Sequence, residues 1–186
     1  VSVVTSGTHQ LDKTNPSGTF TPNSTPWTKS GVSVSFSPSD TGGSGVKQWR
    51  YRTSSDNGST YGAWSTYTAG TASGTISLNT EGQWKIQAEV TDIAGNINTV
   101  TSGTHQIDMS LPSATLNPNS AAWRNTGISV SVDPSDTGGS GVKQWRYRTS
   151  SDNGSTYGAW STYTAGDTTG TVSLSTQGQW KIQAEV

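Results

Sequence analysis

Few residues in this 186-residue chain carry chemistry, and those that do recur at a fixed interval. Histidine occurs at His9 and His105, and there is no cysteine. A metal site needs several His, Cys or carboxylate ligands at set spacings, and nucleophilic catalysis needs Ser or Cys beside a base. Neither histidine has a second His or a Cys near it in sequence, so both are expected to be solvated strand residues. The carboxylates Asp12, Asp40 and Asp92 fall near turn-rich segments, and Asp108 and Asp136 repeat the first two. Oxygen ligands gathered at a domain junction suit Ca²⁺. The spacing matches no calcium loop, however, and turn capping is the expected role. Residues 42–45, Gly-Gly-Ser-Gly, lack the lysine and helix of a phosphate loop. With no nucleophile motif and no paired catalytic carboxylates, the expectation is that the chain is not an enzyme.

Aromatic residues are the richer signal. Tryptophan occurs eight times, at positions 27, 49, 64 and 84 and again at 123, 145, 160 and 180. Trp49 and Trp84 share strand faces with other apolar residues and belong to a core. Trp27 and Trp64, with their copies Trp123 and Trp160, are open to two roles. With a neighbouring Tyr they could stack on sugar rings, or they could cap the ends of a core short of other apolar mass. Capping is the expected role. Between the aromatics lies Ser54-Ser-Asp56-Asn-Gly58-Ser-Thr60-Tyr61, repeated at residues 150–157. The Asp56 carboxylate can accept backbone N–H groups inside a tight turn and Gly58 permits φ > 0; Asp152 and Gly154 repeat the pair.

These residues are positioned by a duplicated β framework. Residues 44–70 return unchanged at 140–166, an offset of 96, and residues 5–90 align with 101–186 without a gap and with 21 differences in 86 positions. Such self-similarity indicates a tandem array. Within one unit, residues 31–37 alternate cleanly, with Val32, Val34 and Phe36 on one face and serines on the other. Residues 82–90 place Trp84, Ile86, Ala88 and Val90 inward and Lys85, Gln87 and Glu89 outward. Residues 46–53 and 61–68 are expected to pair as a central hairpin. No stretch has helical periodicity. Seven or so short strands in about ninety residues indicate an antiparallel β-sandwich.

Composition agrees. The charged fraction of 12% and net charge of −1 leave no basic field for a nucleic acid. The hydrophobic fraction of 28% is low, but the tryptophans set the chain apart from a disordered one. No apolar run reaches membrane length. A Ser/Thr-rich, cysteine-free β array suits an extracellular, bacterial cell-surface or secreted setting. Residues 1–12, VSVVTSGTHQLD, match 97–108, INTVTSGTHQID. Residues 1–10 are therefore expected to be the last strand of a preceding repeat, 11–106 the first repeat, and 107–186 a second repeat lacking its last strand.

The series Trp27…Val32-Ser-Val34, Asp40…Gly43-Ser-Gly45-Val46, Tyr51, Trp64, Trp84 and Asp92-Ile-Ala-Gly-Asn96, closing on Gln106-Ile-Asp108, resembles the Ig-like repeats of bacterial extracellular proteins. The resemblance covers the whole chain. It implies two tandem Ig-like sandwiches arranged end to end, serving as a stalk, adhesin or filament, with a carbohydrate- or host-surface-binding module as the alternative. Residues 54–61 are similar to an Asp-box, S-x-D-x-G-x-T-W, with Tyr in place of Trp; the likeness implies a structural turn. Some surface Ig-like domains crosslink Lys to Asn. Lys47, in phase with Trp49, and its copy Lys143 are the tempting lysines here, with no acid catalyst clearly placed. The partner expected first is the chain itself: an open sheet edge is a template for pairing, and the segment holding Val1, Val3 and Val4 could complete the second repeat of a neighbour, head to tail.

Overall fold

The computed structural model describes residues 1–186 and is all β, with no helix. It divides into two compact units, Val1–Met109 and Ser110–Val186. In the first unit the strands are β1 (Ser17–Thr21), β2 (Thr25–Thr28), β3 (Val32–Ser39), β4 (Val46–Ser54), β5 (Thr68–Ala69), β6 (Gly74–Leu78), β7 (Gly82–Asp92), β8 (Ile97–Thr101) and β9 (His105–Ile107). They form two sheets. One has the order β1-β3-β6; the other runs β2-β9-β7-β4-β5, with β8 also paired to β7.

Strand β3 is the middle strand of its sheet, and its alternation sets which face it turns to the core. Val32, Val34 and Phe36 are buried and each intervening serine is exposed. Across the sandwich they meet Trp49 of β4 and Ile86, Ala88 and Val90 of β7. Rings of Phe20, Phe36 and Trp49 pack in sequence, tilted by 44° and 52°, with centroids 4.7 and 5.0 Å apart. The Trp49 indole is buried, and its Nε1–H donates to the Ala72 carbonyl at 3.0 Å, so the one polar atom of the core ring is satisfied.

Strand β7 organises the larger sheet. On one side it pairs antiparallel with β4 from Ser54↔Lys85 to Val46↔Asp92. On the other it pairs with β8 along residues 87–91 and with β9 along 82–84. Residues 97–107 therefore form one interrupted strand along β7. Beyond β9 lies β2, in parallel pairing.

Two expectations are corrected. Residues 46–53 and 61–68 do not form a central hairpin. The main partner of β4 is β7, and only Thr68–Ala69 of the return segment is a strand, paired at Trp49↔Thr68 and Gln48↔Ala69. Lys47 is not in phase with Trp49. A register shift between Val46 and Gln48 turns its side chain to solvent, as a bulge does when it adds a residue to one strand. Lys143 is likewise exposed, and neither lysine reaches the core.

The second unit contains β10 (Ser113–Asn117), β11 (Ile128–Ser135), β12 (Gln144–Ser150), β13 (Thr164–Ala165), β14 (Gly170–Leu174) and β15 (Lys181–Glu185). Its sheets are β10-β11-β14 and β13-β12-β15. Its core, Val130, Val132, Trp145, Val172 and Leu174, is smaller, chiefly because Ile182, Ala184 and Val186, the counterparts of the buried Ile86, Ala88 and Val90, are only partly buried; Phe36 and Phe20 are also replaced by the smaller Val132 and Leu116. A third change belongs with these. A Cβ on Gly18 would press on the Phe36 ring, 2.7 Å from Cε2. Its counterpart is Ala114, and the Cβ occupies room that the smaller Val132 leaves free.

Candidate functional site

The turn at residues 54–61 is built around Asp56. Ser54 Oγ donates to Asp56 Oδ1 at 2.5 Å, the Thr60 N–H donates to the same oxygen at 2.9 Å, and Thr60 Oγ1 donates to Oδ2 at 2.6 Å. The Gly58 N–H closes the turn on Ser54 Oγ at 2.8 Å. Asn57 and Gly58 have φ of 58° and 88°, so the turn needs a residue tolerant of the left-handed region at its tip. These bonds, the Ser54 hydroxyl first, hold the Asp56 carboxyl well below its usual range, to about 2. The tip is tied to β7 by Asn57 N–H to the Gln83 carbonyl at 2.6 Å. Asp152 and Gly154 form the same turn in the second unit, with Ser150 Oγ to Asp152 Oδ1 at 2.6 Å. The carboxylate is engaged within the turn itself, by two hydroxyls and one backbone N–H.

The segment after the turn carries Tyr61, Trp64 and Tyr67 at intervals of three. That is the period of an extended, polyproline-like chain, not of a strand. It follows β4 through Gly62 N–H to Thr53 O at 2.9 Å and Ser65 N–H to Tyr51 O at 2.7 Å, and Ser65 Oγ accepts the Tyr51 N–H at 2.9 Å. The three rings meet the outward side chains of β4. The Arg50 guanidinium lies 4.6 Å from the Tyr67 ring centroid and 4.9 Å from that of Trp64. Arg52 lies 4.5 Å from Trp64 and 4.9 Å from Tyr61. The order is thus Tyr67, Arg50, Trp64, Arg52, Tyr61, an alternation of rings and cations. Strand β7 fixes the arginines from the other side: Arg50 Nε pairs with Glu89 at 2.9 Å, and Arg52 Nε donates to Gln87 Oε1 at 2.9 Å. Tyr163, Arg146, Trp160, Arg148 and Tyr157 repeat the ladder at 4.6–4.9 Å. Trp64 and Trp160 are half-buried members of this ladder and not caps of the core.

Trp27 lies in β2, half-buried, while Trp123 is 79% exposed in a segment without regular structure. The two differ because β2 is held by β9. Thr25 pairs with His105, Thr28 with Ile107, and the Asp108 N–H donates to the Thr28 carbonyl at 2.9 Å. His105 is buried, which corrects the expectation of a solvated residue; His9 is exposed. Its Nδ1 lies 3.0 Å from Thr25 Oγ1, Nε2 is buried without a partner, and burial lowers its pKa below the ordinary histidine value. Alternation alone gave no signal of this, because the segment 102–104 interrupts the strand.

Asp12, Asp40 and Asp92 do come together, with one ligand oxygen of each within 4.8 Å of the others. Their oxygens accept from the loops that bring them there. Asp12 takes the N–H groups of Thr14 and Ser44, both at 2.9 Å. Asp40 takes those of Gly42 (3.0 Å) and Gly45 (2.8 Å). Asp92 takes Gly95, Asn96 and the Asn96 amide at 2.6–2.7 Å. Hydrogen bonds from Ser44, then Thr14, lower the Asp12 pKa. For Asp92 burial pushes upward, and the bonds from Asn96 and Gly95 outweigh it, so its pKa is lowered too.

In the second unit, residues 178–186 correspond to β7 of the first, but no strand flanks β15 on the side where β8 and β9 lie along β7. A groove of about 1090 Å³ runs there, lined by Leu116, Trp123, Ile128, Leu174, Trp180 and Ile182 among others. Ile86 and Ala88 are fully buried in the first unit, whereas Ile182 and Ala184 are only partly so. Val1, Val3 and Val4 are exposed, and residues 1–10 have no regular structure.

No family model matches the sequence, and no curated protein does. Among solved structures, the fibronectin(III)-like modules of CbhA from Clostridium thermocellum are similar at 15% identity, over 87% of this chain and 94% of theirs, with a TM-score of 0.35. A structure of carbohydrate-binding modules from the β-sandwich superfamily is similar at 14% identity, over 92% and 96%, with a TM-score of 0.34. At such scores the fold assignment rests on the strand topology itself.

Proposed function

We propose that the chain is a non-catalytic structural module: two tandem Ig-like sandwiches, end to end, from an extracellular stalk, adhesin or filament of a bacterial surface, capable of head-to-tail assembly by strand complementation. The observation that carries this reading is the use to which the polar residues are put. Asp56 and Asp152 are spent on Asp-box-like turns, the arginines on the ring ladder, and Asp12, Asp40 and Asp92 on loop N–H groups. Each of these groups is engaged by the fold itself. Small-angle scattering tests the arrangement, since a compact profile in place of an elongated one would count against a stalk. Sedimentation tests the assembly, since a mass independent of concentration would count against it.

A second reading, a carbohydrate-binding module using Trp27, Trp64, Trp123 and Trp160, draws on one observation: Trp123 is exposed. Trp64 and Trp160 suit it poorly, because arginines stack on their rings. A glycan array with Trp123→Ala as control decides between the two; binding that the substitution removes would favour this reading.

A further inference from the structure

We propose that the β2–β9 edge of the first unit is an acid-released latch, opened by a proton on His105.

Strand β9 lies between two neighbours. On its inner side it pairs with Gly82–Trp84 of β7, and on its outer side with β2. No other strand pairs with β2, so its place depends on β9. Further hydrogen bonds tie the same segment. The Thr25 N–H donates to the Thr104 carbonyl at 3.1 Å and the Asp108 N–H to the Thr28 carbonyl at 2.9 Å. The Gly103 N–H donates to Asn23 Oδ1 at 3.2 Å, and Thr104 Oγ1 to Asn57 Oδ1 at 2.9 Å. Two short strands at a sheet margin open at a lower free energy than strands in the middle of the sandwich.

His105 sits within this margin. Its ring is fully buried, on the face it shares with Ile107 and across from Trp84. The Thr25 hydroxyl, 3.0 Å from Nδ1, serves either neutral tautomer, because it can accept from an Nδ1–H or donate to a bare Nδ1. Nε2 has no partner in either case. The indole N–H of Trp84 is already bound to the Thr80 carbonyl at 2.9 Å. The imidazolium fits this site worse than the neutral ring. It adds an N–H at Nε2 and a full charge, with no acceptor for the one and no counter-charge for the other. In the open form water solvates the cation. The proton therefore binds the open form in preference, and burial lowers the pKa of the closed form accordingly.

No neighbouring charge offsets the burial. Strands β1, β2, β3 and β6 contain no titratable residue, and β9 has none besides His105. Lys85 of β7 alternates with Trp84 and Ile86 and so points to the opposite face. Asp56 is bound within its own turn. Lys29 lies exposed beyond the end of β2, and Glu81 and Asp108 flank the far end of the latch, where Glu81 accepts the Met109 N–H at 3.0 Å. None of these groups moves the His105 pKa, which burial alone lowers.

The sign follows from the depressed value. Above about pH 6.5 the latch has its full strength. Below that, each unit of pH favours the open form by up to about tenfold, until the closed form itself takes up the proton. Opening bares Ile107 and the margin of β7 at Gly82–Trp84, a template for strand pairing. Acid thus turns a closed margin into a receptive one.

The test is amide hydrogen exchange by NMR on the intact 186-residue chain between pH 7 and 5, with rates corrected for intrinsic exchange. The Thr25 and Asp108 amides are expected to be less protected than those of Val34 and Ile76 at every pH, and nearly independent of urea, as a local opening requires. Their protection is expected to fall at least about threefold from pH 7 to 5, and His105→Gln is expected to abolish that fall. The His105 ring resonances in the parent chain are expected to titrate below the ordinary histidine value of about 6.5, a measurement that stands even if the variant does not fold. Latch amides whose protection is independent of pH overturn the proposal. So do latch amides as protected as those of Val34 and Ile76, since the edge then opens only with the whole unit.

Discussion

Removing Trp64 should cost the first unit about 3 kcal/mol, and part of that cost should be shared with Arg52. The half-buried indole covers roughly 100 Å² of apolar surface, worth about 2.5 kcal/mol at ~25 cal/mol per Å². Its two guanidinium contacts, at 4.5 and 4.9 Å, add about 0.5–1 kcal/mol each at this degree of exposure. The sum is an upper figure, because the denatured chain already covers part of the ring. Trp64→Ala alone does not separate the two sources. The cycle of Trp64→Ala, Arg52→Ala and the double variant does, since the contacts of Arg52 with Tyr61 and Gln87 are lost on both sides and cancel. The expected coupling is about 0.5–1 kcal/mol, read from urea unfolding followed by far-UV circular dichroism. Trp160→Ala with Arg148→Ala, at 4.6 Å, repeats the measurement in the second unit. Coupling below about 0.3 kcal/mol in both units would refute the ladder as a stabilising device.

Gly18→Ala should destabilise the first unit by about 1–3 kcal/mol through the Phe36 ring, and less so on a Phe36→Val background; additive costs in thermal melts would refute the pairing seen in Ala114 and Val132. Asp56 has a folded pKa of about 2, below its unfolded value, so its stabilising contribution is present above about pH 4 and is lost as pH falls towards 2. Melting temperature against pH should show this leg, and Asp56→Asn should flatten it. His105 has a lowered folded pKa, so the unfolded chain binds the extra proton and stability declines as pH falls below about 6.5. His105→Gln should remove the decline between pH 7 and 5, and an unchanged slope would show another group responsible. Calcium or a chelator should leave melting unchanged, because loop N–H groups already engage Asp12, Asp40 and Asp92; a calcium-dependent rise would overturn that.

The sandwich was legible wherever burial follows strand period. β3 and β7 alternate in the sequence as they do in space, and the Ser54–Tyr61 turn announces itself through Asp56 and Gly58. The return segment was misread because its aromatics face one side every third residue, and a two-residue reading sorts Tyr61, Trp64 and Tyr67 onto different faces. Lys47 was misread for a related reason: one extra residue between Val46 and Gln48 inverts the face without leaving a sequence mark. His105 escaped because its burial depends on β2, eighty residues away in sequence. The gathering of Asp12, Asp40 and Asp92 was suggested by their turn contexts, but their reach depends on three separate loops.

The three-residue period of residues 61–67 has a consequence for crowding. Tandem copies this similar are held at high local concentration, and a regular strand at the margin of the sheet would invite its counterparts to add on. Here the margin beside β4 is finished by a segment that is a strand for only two residues, with its rings turned down onto arginines. Such a border offers no continuous row of donors and acceptors to a neighbour. That margin of the sheet is thereby kept from pairing with its near-identical counterpart, even though the sequences are alike enough to pair.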